Sequence, residues 1–499
     1  MKAESLTLVL VYLAGIMERA DESLLPGVYK EVGEALHVDP TALGTLTLFR
    51  SIVQSSCYPL AAYLSSRHNR AHVIALGAFL WATATFLVAI STTFFQVAVS
   101  RGLNGIGLAI VTPAIQSLVA DSTEDSNRGM AFGWLGFLSN IGSILGYLLS
   151  ILFASKSFNG IAGWRIAFLL VAFISVIVGV LVRLFASDPH YSDKKKPTKL
   201  DKTKPFWTDI RDLLREAKMV IKIPSFQIFV AQGVSGSFPW SALAFAPLWL
   251  ELIGFSHKKT AVLVTLFTIS CSLGGLFGGY MGDKLAKKFP NAGRILLSQI
   301  SSGSAIPLAA ILLLGLPYDP STAFSHGLVF VIMGLCISWN GAATNGPIFA
   351  EIVPERARTS IYALDRSFES ILASFAPPIV GLLAQNVYGY KPVPEGSSSL
   401  FKIETDRENA ASLAKALYTA IGIPMLICCT IYSFLYCTYP RDRDRAKMQA
   451  LIESEMQQLK EEDEEEEEDK KFGIEVKFSG AEEQDETYLL KQHQSDSVR

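Results

Sequence analysis

Long apolar runs recur along the whole chain, and polar residues gather in the short stretches between them. Runs of about 20 apolar residues can cross a bilayer as helices. Twelve such windows can be drawn, at roughly 5–29, 41–65, 71–92, 95–120, 129–154, 164–186, 225–252, 259–283, 293–315, 323–350, 360–386 and 411–438. They predict an all-α polytopic membrane protein. A polar break at 187–224 divides the spans six and six. The break opens as KKKPTKLDKTKP and continues as FWTDIRDLLREAKMVIK. In its second part Phe206, Ile210, Leu213, Leu214, Ala217, Val220 and Ile221 recur at helical spacing. That predicts an amphipathic helix lying on the membrane surface, with basic neighbours set against anionic lipid. A plain solvated linker is the alternative. The expected organisation is a six-helix bundle over 1–186, a basic linker over 187–224, a second bundle over 225–439 and an acidic, disordered tail over 440–499.

An even number of spans puts both ends on one side, and Lys and Arg decide which. One set of loops holds Arg67, Arg70, Arg128, the cluster from Lys194 to Lys222, Lys284, Lys287, Lys288, Arg294, Arg356, Arg358, Arg441, Arg443 and Arg445. The other set holds only Lys30, Lys156, Lys258, Lys259, Lys391, Lys402 and Arg407. The bias predicts cytoplasmic termini. Leu489 and Leu490 follow acidic residues in DETYLL, a pattern that sorting adaptors read on endosomal or vacuolar proteins.

Composition sharpens this reading. The chain is 50% hydrophobic and only 18% charged, where soluble domains carry about 25%. Its mean hydropathy is +0.32. The six cysteines sit in apolar segments without metal-ligand spacing, and read as packing residues. The first apolar run leads into Glu18 and Arg19 rather than a small-residue cleavage site, so no cleaved signal is expected. No phosphate loop, zinc spacing or nucleophile elbow is found, which argues against an enzyme and against a cofactor or nucleic-acid partner.

The two halves echo each other. Asp121 precedes Arg128 by seven residues after span 4, and Glu351 precedes Arg358 by seven after span 10. The loop after span 8 carries Gly279, Asp283 and Lys284; its counterpart after span 2 carries Ala62, Ser66 and Arg67, followed by Arg70. Matched loops at matched ordinal positions indicate a parallel repeat about the membrane normal. With Gly279-x-x-x-Asp283-Lys284, Arg101-Gly102-x-x-Gly105-x-Gly107, Pro113, Gly142, Gly146 and Gly163-Trp164-Arg165, the chain resembles the major facilitator superfamily. The resemblance implies twelve helices in two bundles, with spans 1, 4, 7 and 10 around a central cavity. It also implies that the loops after spans 2 and 8 latch the outward-open state. Ser66 lacks the carboxylate such a latch uses.

Within the superfamily the chain is similar to the Spinster-like branch of lipid transporters. Ala62-Tyr63-Leu64-Ser65-Ser66-Arg67-His68-Asn69-Arg70 resembles that branch's loop after span 2. Glu18-Arg19 resembles its acid–Arg pair in span 1, and Pro377-Pro378-Ile379-Val380-Gly381 its span 11 turn. The acidic tail is similar to plant members. Leu108 stands where the branch has a Glu, so any proton coupling here uses another carboxylate.

One feature asks for explanation on energetic grounds. Glu18, Arg19, Asp21 and Glu22 interrupt span 1, and a charge at the bilayer centre costs about 2.5–3.5 kcal/mol. At about 100° per residue the four fall in an arc of about 160°. Tyr362, Asp365, Arg366 and Glu369 of span 11 fit within roughly 100°. These faces, with Arg50 and Arg101, are expected to meet a polar cavity, and structural ion pairing between helices is the alternative. Trp240 in span 7, and Trp339 and Asn340 in span 10, are expected to give the opposite wall aromatic and amide character. Charges facing aromatics suit a small-molecule or lipid substrate with a charged head, moved with protons by rocking of the halves. Other readings are a small hydrophilic anion or sugar, or a non-transporting receptor. Arg67, Arg70, Asp121, Arg128, Gly279, Asp283, Lys284, Glu351 and Arg358 are the expected gate residues.

Overall fold

The computed structural model describes residues 3–36, 40–154, 157–158, 160–189, 206–373, 375–391 and 399–456. The dileucine at 489–490 and the basic run at 194–204 lie outside them. Twelve helices carry the chain back and forth. The first six are α1 (Ala3–Leu24), α2 (Pro40–Arg67), α3 (Arg70–Ile90), α4 (Phe94–Asp121), α5 (Arg128–Ala154) and α6 (Gly163–Phe185). A linker helix, Phe206–Ile221, precedes the second six. These are α7 (Pro224–Ala242), α8 (His257–Lys288), α9 (Gly293–Ala310), α10 (Ala323–Ile337), α11 (Arg358–Ala373) and α12 (Ser399–Tyr432). Short pieces prolong four of them: Ala246–Ile253 after α7, a wide turn at Ile311–Gly315 after α9, Gly346–Glu351 after α10, and Ala376–Leu382 after α11.

Eight helices among the described residues are long and apolar enough to cross a membrane by composition alone. The other spans, α1, α2, α7 and α11, include the two that carry the charge clusters. Their polar faces need a setting other than lipid.

Several boundaries differ from the apolar pattern for local reasons. Span 1 ends at Leu24 rather than 29, because Pro26 fixes its own φ and lacks an N–H to continue the helix. Span 12 starts at Ser399 rather than 411. Its polar first turns are anchored where Asn409 accepts from the Lys391 N–H and donates back to the Lys391 carbonyl, at 2.8 and 2.6 Å. The tail expected to be disordered from 440 is helical over 440–443 in the main body. The second compact unit, 444–499, is helical over 444–456.

Each half has its own apolar core. Trp81, Trp164 and Phe168 anchor the first, and Trp249, Phe330 and Leu417 the second. A third cluster crosses between halves, with Ala120 and Phe132 against Phe349 and Tyr362. Close approach of α1 and α5 needs the predicted small residues: a Cβ at Gly142 or Gly146 would strike the α1 backbone at Ile16 or Ala20.

Candidate functional site: a charged vestibule and its latched floor

The floor lies on the face that holds Thr7 and Ser187 of the first half and Ser225 and Asp442 of the second, here called the terminal face. Asp283 closes α8 and reaches across the halves. Its carboxylate accepts from the Gly129 and Met130 N–H groups at the start of α5, both at 2.8 Å. It also accepts from Arg294 at 3.0 Å within its own half. Gly279 packs against the Gly129 carbonyl, where any side chain would clash. Lys284 stays exposed.

The repeat read from the sequence is visible in side-chain geometry. Arg128 Nε donates to the Ala120 carbonyl and Arg358 Nε to the Ala350 carbonyl, each at 3.2 Å and each eight residues back. Arg70, opening α3, pairs with Asp121, as Arg294, opening α9, faces Glu351 at 3.6 Å. Asp121 also pairs with Arg358 from the other half, and Ser117 meets Thr359 at 2.8 Å beside it. Arg128 pairs with Asp125 at 2.6 Å, and Arg67 lies over the Tyr63 ring.

Two floor residues escaped the sequence reading. Asp188, just past α6, accepts from the backbone N–H, Nε and Nη2 of Arg70 at 2.9, 3.0 and 2.5 Å. Tyr439 donates to Glu351. Asp188 sits in a short polar segment without a motif, so only its place one helix beyond the repeat could have marked it.

Above the floor, three helices from both halves bring charges together. On α1, Arg19 pairs with Glu22 at 2.7 Å, and Arg50 of α2 holds the other Glu22 oxygen at 2.6 Å. Glu18 accepts from the Thr112 hydroxyl of α4 at 2.7 Å. On α11, Arg366 pairs with Glu369 at 3.3 Å, with Asp365 beside them. Arg366 lies within electrostatic range of Glu18, Arg19 and Tyr58, so the clusters of the two halves form one site. Glu369 also lies against Gly233 of α7, where a Cβ would come within 3.0 Å of it.

The arginines that α1 and α11 bring to this site remain partly accessible. The Arg19 and Arg366 side chains are 39% and 35% accessible to water. A charged side chain that stays partly accessible within a span needs water or countercharge around it rather than lipid.

Arg101 and Asp21 are placed elsewhere, which corrects the expectation for Arg101. Arg101 is only 1% exposed and lies inside the first bundle beside Asn104. Asp21 accepts from the Thr85 hydroxyl and from Asn104 at 2.7 Å. At the edge of the 160° arc, Asp21 turns toward α3 and α4, and Arg101 with it. This network is structural pairing within one bundle.

The aromatic side is dispersed. Trp339, just past α10, packs over Gly278 and against Phe277, with ring centroids 5.4 Å apart, and its indole N–H donates to the Leu335 carbonyl in the last turn of α10. Trp240 packs near Phe267 at 6.3 Å, and Asn340 donates to Ser302 at 2.9 Å. Asn345, past the end of α10, donates to Gln232 of α7 at 3.3 Å.

Two bundles with matching loop contacts thus meet at the terminal face, with ionised side chains from both halves grouped above it. The model of the Major Facilitator Superfamily matches residues 11–377. The chain belongs to that superfamily. It is similar to protein spinster of Drosophila melanogaster, 24% identical over 364 residues, which span 72% of this chain and 58% of the fly protein. It is also similar to an MFS-type efflux pump of Mycolicibacterium smegmatis, 25% identical over 86% of this chain and 92% of that one. Among solved structures it shares the fold of a bacterial homolog of the human lysosomal transporter Spinster in an inward-facing, unoccupied conformation. The TM-score is 0.58 and the identity 18%, with 89% of this chain and 99% of that one covered. A proton:xylose symporter gives a TM-score of 0.63 at 15% identity, over 87% and 96%. The likeness to the Spinster-like branch read from the sequence is thus found by both routes. The superfamily's members are multi-pass integral membrane transporters, and this chain is one of them.

Proposed function

We propose that this superfamily member is a secondary active transporter that moves an anionic, amphipathic small molecule by alternating access, with its terminal face cytoplasmic. One observation carries the reading. Arg19 and Arg366, from opposite halves, lie within electrostatic range of each other and keep 39% and 35% of their side chains accessible, while Asp283 ties α8 to the start of α5. Two nearby guanidiniums repel each other, and an anionic head group between them relieves that repulsion and meets planar donors at both ends. Rocking of the halves then exposes the site to either side in turn. Glu18 and Glu369, beside those arginines, are the carboxylates placed to carry a proton.

The test is flux in proteoliposomes, with a lysolipid, a small hydrophilic anion and a sugar offered separately. Lysolipid movement that is lost in Arg19→Ala and Arg366→Ala supports the assignment. Movement of the sugar or the small anion alone replaces the substrate class. No flux of any of them by folded protein favours a receptor. Glu18→Gln that still couples substrate to proton flux removes Glu18 as the carrier.

A further inference from the structure

The repeat leaves one position unfilled. Asp283 of α8 holds the first turn of α5, but its counterpart in the other half is Ser66, whose hydroxyl donates to the Tyr63 carbonyl of its own helix at 2.8 Å. The seam between α2 and α11 therefore lacks the carboxylate that latches α8 to α5. Gly279 and Gly129, whose backbones meet closely in the other seam, correspond here to Ala62 and Thr359, which both carry a Cβ.

A carboxylate reaches that place from elsewhere. Glu216 of the linker helix accepts from the Ser360 hydroxyl at 2.5 Å. Counting from the paired Arg128 and Arg358, Ser360 is the counterpart of Met130, which Asp283 holds in the other seam. Arg356 lies within electrostatic range of Glu216. The linker helix touches the terminal-face ends of both α2 and α11, so it straddles the seam that Ser66 leaves unlatched. Burial holds the Glu216 carboxyl above its ordinary value, against the pull of Ser360 and Arg356. It is a seated group rather than a solvated one.

We propose that Glu216 substitutes for the carboxylate missing at Ser66, so that the linker helix is the strap that keeps the α2–α11 seam shut while the terminal face is closed. The proposal rests on the alternating-access reading. When the halves rock, the ends of α2 and α11 part, and a helix seated on both must leave one of them. An amphipathic linker would then act as part of the gate as well as a tether between bundles.

Spin labels at His68 and Lys287, both exposed on the terminal face and in opposite halves, report the opening by pulsed dipolar distances. They would be placed in full-length protein lacking its native cysteines. Glu216→Ala should raise the long-distance, open population about tenfold, the weight of one charge-assisted hydrogen bond. Adding Ser66→Asp to Glu216→Ala should return it toward the parent value, because the carboxylate is then supplied by α2 itself. Unchanged distances in Glu216→Ala, or a shift that Ser66→Asp leaves in place, overturns the proposal. A thermal melt of each variant separates loss of the strap from loss of the fold. The distances are read without substrate, so they stand apart from whether the proposed cargo is transported.

Discussion

Replacing Asp283 with Asn should loosen the terminal face by a predictable amount. The carboxylate takes two backbone N–H groups across the halves, at 2.8 Å each, and one arginine within its own half at 3.0 Å. Only the first two contacts distinguish a closed floor from an open one. An amide keeps one acceptor oxygen, so one N–H stays bonded while the other faces an NH₂ group. Hydrogen bonds to a charged partner contribute about 1.5–3 kcal/mol. Losing one of them, and the charge on the other, shifts the closed-to-open balance by about 2 kcal/mol, roughly thirtyfold. The floor residue Ser117 is fully buried against Thr359, so a Ser117→Cys reporter should react with a membrane-impermeant maleimide only when the floor opens. Added from the terminal face, the reagent should label Ser117→Cys/Asp283→Asn roughly thirty times faster than Ser117→Cys alone. Equal rates would show that the Asp283 contacts do not hold the floor.

Two further outcomes follow from the same contacts. Asp21→Asn should lower thermal stability in detergent by about 3 kcal/mol, since it leaves Arg101 beside an uncharged partner in a buried network. Flux by the protein that remains folded should be unchanged, and a loss of flux without a loss of stability would move Asp21 into the transport path. The Glu216 contact should strengthen as pH falls. Its seated carboxyl titrates above the ordinary value, so seating takes up a proton; the penalty is complete above the raised value and relieved on descending toward the ordinary one. Terminal-face distances that open on acidification in the parent protein, but not in Glu216→Gln, would contradict that sign.

Much of this was legible because membrane burial leaves strong marks. The twelve apolar windows and the loop pairs Asp121/Arg128 and Glu351/Arg358 are local patterns, and the helices and the matched Arg128 and Arg358 contacts follow them. The charged faces of α1 and α11 were legible from helical geometry plus the cost of charge in lipid. Which charges share a cavity was not. Asp21 lies only 60° from Glu18 around the helix, yet it pairs inside the bundle, because Thr85 and Asn104 offer donors on that side. Nothing along α1 itself announces those donors. The missing carboxylate at Ser66 was visible as a departure. Neither Asp188 nor Glu216, the residue proposed to stand in for it, could be found that way, because both reach their partners through the fold and sit outside any motif. The aromatic wall was read from residue type alone, and Trp339 spends its indole N–H on the last turn of α10.

The central claim is that charges from both halves line one water-filled hollow that is closed at the terminal face. Charged, impermeant thiol reagents applied to Arg366→Cys in a cysteine-free background test it most directly. The account predicts rapid modification from the face opposite the termini and almost none from the terminal face. No modification from either face, or reaction only with reagents that partition into lipid, would contradict it.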